Sequence, residues 1–141
     1  LVARVESTYL TATDYSPAIR PAVVAGERLF ELRTYKCEPG RLAALHDRFR
    51  QHTLGLFSKH GMTHIGYWTP VEARQGAADT LIYILAHRDQ AARDASFKAF
   101  RADPDWLAAL KASEQKAGGS LTVSNGVTSV MMRATDYSPI R

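Results

Sequence analysis

The chain has 141 residues, 45% hydrophobic and 23% charged, which is the profile of one globular domain long enough to bury a core. Its net charge of +4 comes from 18 Lys and Arg scattered without a basic run, which argues against a nucleic-acid partner. No apolar run approaches membrane-spanning length, so no membrane partner is expected; the lone Cys37 rules out an internal disulfide and points to a reducing, cytoplasmic compartment.

The chain opens at Leu1, which reads as the start of a fragment or a processed chain, so native targeting is not legible. The hexapeptide ATDYSP occurs at 12–17 and again at 134–139, and at the same offset Val5 falls on Val127 and Ser7 on Ser129. The stretch between does not repeat within itself. The expectation is one unit of domain size ending in ATDYSP, residues 21–141, preceded by the orphaned end of another copy or a linker, residues 1–20. Residues 4–17 are expected to lie as a strand against a neighbouring sheet; the alternative is a disordered tail.

Residues 28–37, RLFELRTYKC, alternate and are rich in β-formers, so a strand is expected. A helix follows over 38–61, with Pro39 in its first turn, Leu42, Leu45, Phe49, His52 and Leu56 at helical spacing, and Gly61 as its stop. Residues 62–72 and 80–88 read as the second and third strands. A second helical stretch spans about 90–116, broken where Asp103 can cap and Pro104 can restart it, and ended by Gly118-Gly119. The last strand carries a bulge or tight turn at Asn125-Gly126.

The order β-α-β-β-α-β predicts an α+β, ferredoxin-like fold: a four-stranded antiparallel sheet with two helices on one face. Such a sheet should be polar on its open face. Here Leu81, Tyr83 and Leu85 alternate with Ile82, Ile84 and Ala86, so both faces are apolar. A second copy would cover the open face, and the expected architecture is a homodimeric α+β barrel paired through its sheet faces.

At this point the chain resembles the NIPSNAP family, through FELRTYKCEPGRL, HGMTHIGYW, DTLIYILAHRD, FRADPDWLAALKASE and the terminal ATDYSP. The likeness runs in order over about residues 28–139. It implies the dimeric α+β barrel fold shared with haem-degrading and cofactor-free oxygenase families, and a bacterial member with no assigned reaction. Some members carry two domains in tandem, which agrees with residues 1–20 being the tail of a lost first domain. None of the matching pieces carries a catalytic mechanism.

In FELRTY, Phe30, Leu32 and Thr34 share one face while Glu31, Arg33 and Tyr35 share the other. If the apolar set meets the helices, the polar set lines the chamber between paired sheets, with Tyr83, His87 and Trp68 opening onto it. Glu31 and His87 would be the acid–base residues, and Arg33, Tyr35, Tyr83 and Trp68 would hold an organic ligand whose acidic group Arg33 attracts. The plainer alternative is a surface Glu31–Arg33 pair with His87 in solvent. His52 is expected as a packed core histidine, or as a residue projecting toward the chamber as a haem ligand would. His60 and His64 flank a helix-to-strand junction. No Cys pair, zincin pair, serine elbow or nucleotide loop is present, so no metal and no nucleotide cofactor is expected. Cys37, just ahead of the helix start, could have a lowered thiol pKa, with a spectator as the default.

Three functions remain open. The first is a ligand-binding barrel of no known activity. The second is a cofactor-independent oxygenase or isomerase, or a haem-binding barrel; no cofactor is predicted, and haem stands only as the alternative. The third is an interaction module without chemistry, which a site filled by its own side chains would favour.

Overall fold

A computed structural model describes residues 1–141. Five antiparallel strands form one sheet in the order β1-β3-β4-β2-β5: β1 (Leu10–Ala12), β2 (Leu29–Cys37), β3 (Thr63–Pro70), β4 (Thr80–His87) and β5 (Thr122–Arg133). Strands β2 to β5 follow the ferredoxin-like order. The sheet exceeds the expected four strands because Leu10, Thr11 and Ala12 pair with Pro70, Thr69 and Trp68 along the outer edge of β3.

Helices α1 (Leu42–Arg48) and α2 (Leu54–Lys59) are joined through a π-helical turn, Phe49–Thr53, into one rod. The rod starts at Leu42 because Gly40 adopts a left-handed φ of 76° in the turn closed by the Arg41 N–H on the Glu38 carbonyl, which a helix beginning at Pro39 cannot contain. A π turn admits one extra residue. The inward positions therefore run Leu45, Phe49, Thr53, Leu56 and Phe57, and His52 is exposed rather than packed in the core.

Asp89 caps α3 (Gln90–Ala102), accepting from the Ala92 N–H at 2.7 Å. Asp103 caps α4 (Pro104–Ala117) through the Asp105 N–H at 2.9 Å, with Pro104 as first helical residue, so the expected break lies where the sequence places it. Gly118, at φ 76°, ends α4. In β5 the expected irregularity is a bulge: Tyr35 pairs with Val127, but Cys37 with Thr122. A Cβ on Gly126 would stand 2.8 Å from the Lys36 carbonyl oxygen, so the bulge requires glycine there.

All the helices pack on one face of the sheet. Leu45, Phe49 and Phe57 from the rod and Phe97 and Phe100 from α3 close over Tyr67, Leu81, Tyr83 and Leu85 to form a single core. No helix is long and apolar enough to cross a membrane.

Candidate functional site

The alternation in β2 holds, but its orientation is the reverse of the premise used above. Glu31, Arg33 and Tyr35 face the helices with Tyr83, Leu85 and His87, while Phe30, Leu32 and Thr34 face the open side with Ile82, Ile84 and Ala86. The expected polar lining of a chamber between sheets is therefore a buried cluster beneath α3. Trp68 alone of the six candidate residues lies on the open face, its indole over Gly66, where a Cβ would come within 2.4 Å of the ring.

A charged strand face can turn inward because every charge on it is met. Glu31 is fully buried, and each carboxylate oxygen is occupied. Oε1 accepts from Arg33 Nη1 at 2.8 Å, Arg93 Nη2 at 2.6 Å and Ser129 Oγ at 2.9 Å; Oε2 accepts from Arg93 Nε at 3.1 Å and His87 Nε2 at 3.0 Å. A carboxylate only accepts, so the His87 proton in this pair resides on Nε2. Burial alone would raise the Glu31 pKa. The hydrogen bonds from His87, Arg93 and Arg33 outweigh it and hold the carboxyl well below the ordinary carboxylate range.

Arg33 is held just as fully. Its Nε donates to Tyr83 Oη at 2.8 Å and Nη2 to Tyr35 Oη at 3.3 Å, and its guanidinium lies 4.6 Å from the Phe97 ring centroid. Tyr83 donates onward to Tyr35 at 3.1 Å. Burial pushes the Tyr83 phenol well above its ordinary pKa, so it stays protonated and donates. Five of the six candidate residues thus share one network, whose remaining partners are Arg93 and Ser129. None of the five principal hollows of the molecule is lined by Glu31, Arg33, Tyr35, Tyr83 or His87. The His87–Glu31 pair has the form of an oriented acid–base couple, yet none of these five hollows reaches it.

Two members of the network escaped sequence reasoning. Arg93 sits one turn into α3 and Ser129 opposite Arg33 across the β2–β5 ladder; only the pairing register reveals the second. His60 and His64 are spoken for locally. His60 Nε2 lies 2.7 Å from Asp103 Oδ2, and His64 bridges Tyr67 Oη at 2.6 Å and Ser58 Oγ at 2.8 Å. Cys37 is buried, and burial drives its thiol up to about 11, opposite to the lowering its place before a helix suggested.

The open face has the opposite character. Leu32, Ile65, Trp68, Ile82, Ile84 and Met132 are half-buried, Val130 is exposed, and no helix packs over them. A depression of about 220 Å³ at one end is floored by Phe30, Ile65, Ile84 and Met132 and walled by residues near the C-terminus.

At the β3 edge, the first ATDYSP copy is built into the fold. Thr13 N–H donates to the Tyr67 carbonyl at 3.0 Å, and Tyr67 N–H donates to Ser16 Oγ at 2.9 Å. Asp14 takes Arg50 Nε and Nη2, both at 2.8 Å. The Tyr15 ring packs on Phe49 and Tyr67 and its hydroxyl meets His46 Nδ1 at 2.8 Å.

The family model for NIPSNAP matches residues 30–139. Among solved structures, a NIPSNAP family protein of unknown function from Agrobacterium tumefaciens is 21% identical over 84% of this chain and 97% of its own, with a TM-score of 0.66. A second NIPSNAP family protein from that organism is 18% identical over 88% of this chain and all of its own, with a TM-score of 0.69. An uncharacterised NIPSNAP domain protein from Burkholderia xenovorans is 22% identical over 79% and 98%, with a TM-score of 0.63. These likenesses show the α+β fold. No curated protein matches the chain. With 30–139 covered in order by the family model, the chain belongs to the NIPSNAP family.

Proposed function

We propose that the domain is an assembly module that pairs with a second copy of itself, sheet face to sheet face. The observation that carries this reading is the uncovered apolar face of Leu32, Ile65, Trp68, Ile82, Ile84, Val130 and Met132. Five strands about 4.8 Å apart, between 3 and 12 residues long and eight on average, make a face of roughly 600 Å² before side-chain relief is counted. A standard interface takes about 800 Å² from each partner, so a second sheet is a fitting cover. The polar cluster supports the same reading, because it is filled by its own side chains.

A small organic ligand between paired sheets is the second reading, favoured by the depression over Phe30, Ile65, Ile84 and Met132. Six of its eight lining residues are apolar and the other two are Arg133 and Ser138, so the ligand is a mainly apolar or aromatic molecule, and any acidic group on it would meet Arg133 rather than the buried Arg33. The test of the main reading is Ile84→Asp. It should turn a dimer into a monomer in sedimentation velocity while the far-UV and near-UV circular dichroism persist. A variant that sediments as the wild type does would sink the face-to-face pairing.

A further inference from the structure

The two ATDYSP copies share their sequence and their turn but not their surroundings. In the first, Ser16 N–H closes on the Thr13 carbonyl at 3.2 Å; in the second, Ser138 N–H closes on the Thr135 carbonyl at 3.0 Å. The first copy is plugged into a socket made by β3 and the helical rod: Tyr67 backbone, His46, Phe49 and Arg50. The second carries the same four contact residues, Thr135, Asp136, Tyr137 and Ser138, yet Tyr137 is 83% exposed and Asp136 is exposed without an ion-pair partner. The two copies also extend opposite edges of the sheet, β1 beside β3 and the end of β5 beyond β2.

We infer that residues 134–139 are a plug for the β3-edge socket of a second copy of this domain. This rests on the second-copy reading above and adds an edge contact to the face contact. The chemistry that recognises the plug is already visible in residues 12–17: Tyr137 takes the place of Tyr15 against Phe49, Tyr67 and His46, Asp136 pairs with Arg50, and Ser138 accepts from the Tyr67 N–H. The turn is formed before docking, so little ordering is needed on binding. Exchange in both directions closes as a two-fold pair and leaves no open chain of subunits. In a chain whose own socket is filled, residues 12–17 compete in cis at the high effective concentration of a tethered segment.

The test frees the socket in the full chain with Asp14→Ala/Tyr15→Ala/Ser16→Ala, which removes the ion pair, the ring and the hydroxyl together. The probe is a fluorescent synthetic peptide of residues 130–141, followed by anisotropy. It should bind the triple variant at least tenfold more tightly than the wild-type chain, and a peptide with Tyr137→Ala should lose at least tenfold on the triple variant. Should the triple variant fail to fold, Thr13→Pro, which deletes the hydrogen bond to the Tyr67 carbonyl, opens the same edge with a single change. Equal affinity of the two peptides, or no binding to a folded chain with the freed socket, overturns the plug. The same titration on the Ile84→Asp background separates the two contacts. Edge binding should survive there; no edge binding to the triple variant with Ile84 intact, in a chain that still dimerises, would remove the plug and leave the face pairing standing.

Discussion

Arg33 and Glu31 lie side by side on the helix-covered face of β2, with Nη1 2.8 Å from Oε1 and the carboxylate fully buried. Two residues apart on a strand share a face, so the pair itself is plain from the sequence. Which face it occupies is decided by α3, whose Arg93 brings a second cation to the same carboxylate at 2.6 Å.

Removing the carboxylate leaves Arg33 and Arg93 beneath the helix with no counter-charge. Glu31→Ala is expected to cost about 3–5 kcal/mol, the range for breaking one side of a buried ion pair. Urea unfolding reads this directly. A loss below about 1 kcal/mol would mean that the cluster is solvated.

The same residue sets an acid limit. Its folded pKa lies below its unfolded value, so its contribution is fully present above the ordinary glutamate range and is lost as pH falls through that range toward the folded value. The melting temperature should therefore fall on acidification below about pH 4.5. In Glu31→Gln, which starts less stable, that fall should be shallower. Parallel curves for the two proteins would contradict the assignment.

Residue 52 tests the π turn. In an unbroken α-helix His52 would complete the stripe of Leu45, Phe49 and Leu56; the extra residue at 49–53 sends it to solvent instead. His52→Ala is expected to change stability by no more than about 0.5 kcal/mol. A loss of about 2 kcal/mol or more in chemical denaturation would restore the core histidine.

The repeated tyrosines should respond differently to the same change. Tyr15→Ala removes a partly buried ring and is expected to cost about 2 kcal/mol, less than the 3–5 of a fully buried aromatic. Tyr137→Ala, in a chain kept monomeric by dilution, should lie within about 0.5 kcal/mol of the wild type. Equal losses would mean that both copies are docked on the protomer.

Element order, the Asp103-Pro104 break, the Gly118 stop and the Asn125-Gly126 bulge were legible because each rests on local chemistry: a cap, a fixed φ, a missing Cβ. The start of the first helix was misplaced because Pro39 is compatible with a first turn, while Gly40 is in a turn of its own. The polar face of β2 was misassigned for a different reason. Alternation tells which residues share a face but not which face is covered, and Arg93, the residue that makes burial of Glu31 tolerable, lies 62 positions away with no motif linking them. His52 failed because a π turn leaves no signature in a hydrophobic stripe.

The central claim is that the apolar face of Leu32, Ile82, Ile84 and Trp68 is covered by a second copy. Native mass spectrometry of the full chain at tens of micromolar tests it most directly, with the same sample then denatured. The expected result is a species of twice the 15.6 kDa protomer, with any mass lost on denaturation reporting a molecule held between the sheets. A bare monomer at that concentration would contradict the pairing and leave the open face without its cover.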